Sequence, residues 1–191
     1  MKVIDVVVAK TSSTEEVTDL PELVGKALPA AFLMNYGGYG FAKFRFDERS
    51  LAVFEASLWK IESLDERKRV YNMLYDNVKS MRVAGSQALS AIKTSLPHEK
   101  SEENLSDCLR KLVPSLIAKY MPLETYEKDT AEMFEMTLGI IESRRFVESE
   151  STSQLLVKTV LDFAERDDHV SVVEGWFAGD GVCEVVFTKE I

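Results

Sequence analysis

A mainly α-helical, solenoid-like array of antiparallel helices, preceded by a short N-terminal β segment, is the fold class this sequence predicts. Three observations point to it. From Asp47 onward, apolar residues recur every three or four positions, the period of helices with one buried face. These stretches are punctuated by Gly85, Pro97 and Pro122, which interrupt or end helices. Before Asp47 the pattern is different, with β-branched runs, two prolines and a glycine-rich turn.

The first 47 residues read as strand and turn. Lys2–Ala9 carries Val3, Ile4, Val6, Val7 and Val8 and is followed by the polar turn Lys10–Glu16. Pro21 and Pro29 make the next stretch extended or irregular. Phe32–Asn35 and Ala42–Phe46 are expected as two short strands around Tyr36-Gly37-Gly38-Tyr39-Gly40, whose glycines suit a tight reversal. Phe44 and Phe46 alternate with Lys43 and Arg45, as in a half-buried strand.

Residues 48–191 are expected to form a helical domain. Asp47 caps a first helix with Leu51, Phe54, Leu58 and Ile61 on one face. Ser63 and Glu66 have capping-box spacing for a second, with Val70, Met73, Leu74, Val78 and Met81 inward. Gly85 breaks the chain, and Ser86–Ser95 forms a short helix ended by Pro97. Ser101 opens a longer helix through Leu105, Leu109, Leu112 and Leu116, bent at Pro114. Further helices run from after Pro122 to Glu142, from Ser151 (spaced for a capping box with Gln154) to about Arg166, and on to Ala178. Gly179 and Gly181 close the helical region, and Cys183–Phe187 is a candidate terminal strand. Helical hairpins would begin near Glu48, Ser86 and Thr125, spaced 38 and 39 residues apart, a period like that of HEAT or armadillo arrays.

Composition bounds the function. The chain has 191 residues, 46% of them hydrophobic, enough to bury a sizeable core. No stretch approaches the ~20 apolar residues of a membrane span, and the N-terminus lacks the longer apolar region of a signal peptide. A net charge of −9 argues against nucleic acid, since phosphate binding needs surplus Lys and Arg. Cys108 and Cys183 have no CxxC spacing and suit a reducing, cytoplasmic setting as small core residues.

The sequence presents no residue pattern that marks a catalytic, cofactor-binding or metal-ligating residue. His98-Glu99-Lys100-Ser101-Glu102 begins like HExxH, but Glu102 stands where the second His belongs and Pro97 precedes it in a polar linker. His98 therefore reads as a solvated loop residue, and His169, beside Asp167 and Asp168, as a surface histidine paired with carboxylates. The Tyr36–Gly40 segment lacks the GK[ST] of a phosphate loop and reads as a turn; its aromatic neighbours read as a core seam. Glu102/Glu103 and Glu148/Glu150 read as ordinarily ionised surface pairs. Met121, Met133 and Met136 read as core filler, of a residue type that also serves adaptable contact faces.

Three segments resemble a known family. Asn35-Tyr36-Gly37-Gly38-Tyr39-Gly40-Phe41-Ala42-Lys43-Phe44-Arg45-Phe46-Asp47 resembles the passage from the β-sandwich into the helical C-terminal domain of aminopeptidase N and puromycin-sensitive-type zinc aminopeptidases. Arg69-Val70-Tyr71-Asn72-Met73-Leu74-Tyr75-Asp76 resembles the family's second helix. Leu161-Asp162-Phe163-Ala164 with Trp176-Phe177-Ala178-Gly179-Asp180-Gly181-Val182 resembles a late segment of its bacterial members. The resemblance implies residues 1–47 as the end of a β-sandwich and 48–191 as a non-catalytic helical domain. It also implies a parent enzyme that removes N-terminal residues from peptides with a zinc ion held by HExxH and a further Glu in a separate catalytic domain. Expected partners are that catalytic domain and peptide substrates, with no nucleic acid and no membrane; no cofactor is expected in this chain. The helical domain would cover the active site and limit or position peptides. The competing expectation is an independent helical-repeat module that binds a protein or peptide.

Overall fold

A computed structural model describes residues 20–40 and 42–178. Lys2–Ala9 and Cys183–Phe187, both expected as strands, lie outside the described residues. The described chain is mainly helical: α1 Glu48–Ser57, α2 Leu64–Lys79, α3 Gly85–Ser95, α4 Glu102–Asp107, α5 Val113–Tyr120, α6 Tyr126–Glu142, α7 Glu150–Asp162 and α8 Asp167–Ala178.

Three predicted caps are present. Asp47, Ser63 and Ser101 accept from the amides of Ser50, Glu66 and Asn104 and satisfy otherwise orphaned N–H groups at the starts of α1, α2 and α4. At α2 the box is half made, because Glu66 turns away from Ser63 and accepts from the Gly37 amide at 3.0 Å instead. At α7 the start differs from expectation: the helix begins at Glu150 with Ser149 before it, and Gln154 donates to Glu150 at 3.2 Å. That helix ends at Asp162, short of Arg166.

The helix expected to bend at Pro114 runs on from α4 through a π turn, Cys108–Leu112, into α5. Pro114 has no N–H to donate and its ring crowds the carbonyl four residues back. The wider π turn just ahead of it, where Val113 N–H reaches back to the Cys108 carbonyl, absorbs that conflict.

The strands expected at Phe32–Asn35 and Ala42–Phe46 are not formed; no strand occurs among the described residues. The alternation of Phe44 and Phe46, half-buried, with Lys43 and Arg45, exposed, is real, but the backbone bonds to side chains rather than to a ladder. The Phe32 amide donates to Ser50 Oγ at 2.8 Å, and the Phe44 carbonyl accepts from Asn77 Nδ2 at 2.9 Å. The segment is thereby laid on α1 and α2, and Phe46 meets Phe54 edge-on with ring centres 5.4 Å apart.

The expected reversal at Tyr36–Gly40 is a short 3₁₀ turn. Asn35 enters it left-handed at φ 55°, Gly37 and Gly38 both have φ 77°, and the Asn35 side chain brackets Gly40, accepting from its N–H at 2.6 Å and donating to its C=O at 3.0 Å.

Core residues follow the predicted faces closely: Leu51, Phe54, Leu58, Val70, Leu74 and Val78 are buried. Met81, expected inward, is 92% exposed. Helix α2 stops at Lys79, and Met81 sits past its end at φ 57°, so the helical period no longer decides where its side chain lies. Helix α1 packs on α3, α2 on α3 and α4, α3 on α5, α4 on α7, and α6 on both α5 and α7.

Gly85 begins α3 rather than merely ending what precedes it. A Cβ there would lie well inside 3.0 Å of the Tyr120 carbonyl oxygen, so the glycine is what lets the start of α3 touch the end of α5. Gly85→Ala is expected to destabilise the protein by about 1–3 kcal/mol through overpacking, whereas Gly139→Ala, with open space around its Cβ position, should be neutral or stabilising. Urea melts of the two variants check the contrast.

Candidate functional site

The polar interior centres on Glu99, in the connection between α3 and α4. Its carboxylate is fully covered. Arg67 of α2 donates Nε to Oε2 at 3.0 Å and Nη2 to Oε1 at 2.7 Å, a forked pairing that matches the planar guanidinium to the carboxylate. The amides of Lys100 and Ser101 donate to Oε1 at 2.8 and 2.9 Å, and Tyr71 O–H donates to Oε2 at 3.3 Å. Arg145, beyond the end of α6, donates to the Glu99 backbone carbonyl at 3.0 Å.

Burial alone would raise the Glu99 carboxyl, but Arg67 and the two backbone amides outweigh it and hold the group below the ordinary carboxylate range. The same hydrogen bonds raise Arg67. Burial pushes the Tyr71 hydroxyl far up, so it remains a neutral donor, and raises the Cys108 thiol likewise. Cys108 is thus an inert core residue, as expected. The cluster has its charges paired and its carboxylate oxygens saturated, which makes it a clamp between helices rather than a reactive centre.

A second tie runs beside it. Glu102, expected to be an ordinary surface acid, accepts at Oε2 from Ser149 Oγ at 2.5 Å and Thr152 Oγ1 at 2.6 Å, and these bonds lower its carboxyl. Its place in the first turn of α4 brings it to the start of α7.

Outside this clamp lies an open cleft of about 500 Å³ lined by Trp59, Lys60, Glu62, Leu64, His98 and Lys100, with Arg67 at its inner side. His98 is exposed as expected, but its ring lies against the half-buried Trp59 ring, tilted by 30° with centres 4.4 Å apart. Lys60 Nζ stands 5.3 Å from the same ring centre. The cleft therefore joins an aromatic wall to cationic rims on a chain that is otherwise strongly acidic.

A further cleft of about 520 Å³ separates α3 from α6. Ser86, Ser90, Lys93 and Thr94 form one wall, Thr125, Lys128, Asp129, Glu132 and Met136 the other, and Met121 also lines it. The positions on each wall recur at helical spacing, so each helix presents one face to the gap.

His169 corrects an expectation. It is 2% exposed, not a surface residue, because it shares the inward face of α8 with Val173 one turn on. Its ring stacks on Phe134 with centres 3.8 Å apart, and the nearest carboxylate is that of Glu135 at 3.7 Å. Asp168 is engaged instead with Arg166 at 2.8 and 2.9 Å. The methionines also divide: Met133 is core, while Met121 and Met136 are partly buried at the α3–α6 cleft.

Among the described residues no group of three or more His, Cys, Asp or Glu side chains stands close enough to hold a metal ion. The zinc implied by the family resemblance finds no ligand set among the described residues. No described helix is long and apolar enough to cross a membrane.

Sequence reasoning passed over Glu99, Lys93 and Asp129. Glu99 was legible only as part of a failed zinc motif, and the roles of all three depend on residues more than thirty positions away.

No family model matches the chain, and no solved structure matches it. Among curated proteins the chain is 29% identical over 140 residues to Aminopeptidase N of Streptomyces lividans. The match takes in 73% of this chain but 16% of that protein. The chain is thus similar to one segment of an aminopeptidase N.

Proposed function

We propose that this chain is the non-catalytic helical C-terminal region of a zinc aminopeptidase, and that it covers the active site and limits or positions peptides entering it. The observation that carries the reading is the similarity to Aminopeptidase N over 140 residues, 73% of the chain. Zinc and its ligands would then come from another part of the parent protein.

The helix contacts support a solenoid-like role. With α1/α2, α3/α4–α5 and α6/α7 taken as hairpins, the second helices touch in succession (α2 with α4, α4 with α7), and of the first helices α1 touches α3. Such stacking builds an extended face suited to lining a chamber. The Trp59–His98 cleft, with Lys60 and Lys100 at its rim, is the surface best equipped to hold the far end of a peptide.

The test uses the product of the whole reading frame. With Lys60→Ala and Lys100→Ala combined, KM for peptides of eight or more residues is expected to rise several-fold, while hydrolysis of an aminoacyl-4-nitroanilide, too short to reach the cleft, stays unchanged. Equal effects on both substrates, or none on either, would remove the peptide-positioning role.

A further inference from the structure

The groove between α3 and α6 carries a feature that the clamp and the Trp59 cleft lack. Asp129 is 7% exposed at its side chain and lines the groove. Its Oδ1 accepts from Lys93 Nζ at 3.2 Å, but its buried Oδ2 has no hydrogen-bond partner among the described residues. A buried carboxylate oxygen left without a donor is costly, and a donor delivered to it is correspondingly favoured.

The surroundings specify the donor. Lys93 from the opposite wall bridges Asp129 and Glu132, and Lys128 Nζ stands 3.7 Å from the other Glu132 oxygen, so these carboxylates already accommodate alkylammonium groups, yet no donor reaches Asp129 Oδ2. Met121 and Met136 supply soft apolar surface for a methylene stem, and Ser86, Ser90, Thr94 and Thr125 supply hydroxyls along the walls. From Ser86 to Thr94 the α3 wall runs about 12 Å, the length of three to four residues of extended peptide. The net charge of −9 favours a cationic visitor at long range.

We propose that the α3–α6 groove binds a lysine side chain of an extended peptide, its ammonium group donating to Asp129 and sharing Glu132 with Lys93 and Lys128. The inference follows from the lining of this groove alone and does not depend on the aminopeptidase reading.

Titration calorimetry on the full chain tests it with the probe acetyl-Gly-Gly-Lys-Gly-Gly-amide and its norleucine counterpart, which keeps the stem and removes the charge. The lysine peptide is expected to bind at least tenfold more tightly than the norleucine peptide. Glu132→Gln, at a half-exposed site that leaves the fold intact, should weaken it about fivefold, and Asp129→Asn more. Lys93→Met removes the competitor that bridges both carboxylates and should tighten binding several-fold, an outcome that a generally acidic surface would not single out. Equal affinity for the two peptides, or no gain in Lys93→Met, overturns the proposal. Binding of n-butylammonium as tight as that of the lysine peptide would overturn the peptide as occupant and leave a free-amine site.

Discussion

Replacing Glu99 by glutamine is expected to destabilise the protein by about 3–5 kcal/mol at neutral pH, the cost of breaking one side of a buried ion pair. The substitution keeps the shape but leaves the Arg67 guanidinium, 5% exposed, with no anion to face. Changing both partners at once separates charge from shape: Arg67→Met with Glu99→Met should recover most of the loss, because two desolvated charges are exchanged for apolar packing. Urea titrations of the single and double variants measure the coupling between the two side chains directly.

The same carboxylate gives a pH signature. Its folded-state value lies below the ordinary one, so the unfolded chain takes up a proton first as pH falls. The stabilisation is complete above the unfolded value of about 4.3 and is lost as pH drops from there through the lower folded value. The difference between wild type and Glu99→Gln should therefore be largest at neutral pH and shrink below about pH 4. A difference that stays constant down to pH 3 would show that the charge of Glu99 is not what holds α2 to the α3–α4 connection.

Leu74→Ala is the second large effect. Leu74 is wholly buried on α2, where that helix meets α3, and truncation there removes transfer energy and leaves a cavity, together about 2–5 kcal/mol. For a chain of this length that lowers the melting temperature by about 5–15 °C. Met81→Ala, at the 92% exposed end of the same periodic run, should change stability by less than about 0.5 kcal/mol. Calorimetry on both variants marks where the buried stripe of α2 ends, and a loss at Met81 as large as that at Leu74 would contradict the packing described.

Those two positions show what was legible in advance. The helical stripe through Leu51, Phe54, Leu58, Val70, Leu74 and Val78 is a local property, set by residue type and spacing, and it was readable. So were the caps Asp47, Ser63 and Ser101, since each acts within three residues. Helix ends were read less well: Met81 lies two residues past the end of α2 at Lys79 and so off its buried stripe, and a polar run containing Ser149, Ser151 and Ser153 offers several equivalent starts for α7. The expected strands around Tyr36–Gly40 failed for a different reason. Alternation of side chains is shared by any extended chain on a surface, and a strand also needs a neighbour for its backbone, which here bonds to Ser50 and Asn77.

The clamp and the groove were not legible, because their chemistry is assembled from distant segments. Glu99 meets Arg67 and Arg145, Lys93 meets Asp129, and His169 meets Phe134 only once the helices stack. Nothing in the residues flanking Glu99 separates it from Glu102 or Glu103, yet it is covered by protein and Glu103 is 72% exposed at its side chain.

Similarity to one segment of an aminopeptidase N makes a claim about what accompanies this chain, and the most direct measurement is the genomic sequence upstream of the Met1 codon. The reading frame is predicted to continue in that direction and to encode HExxH followed by a further glutamate, in a catalytic domain that this helical region would cover. A stop codon in frame shortly before Met1 would contradict it and leave a free-standing helical module whose partner is found through its clefts.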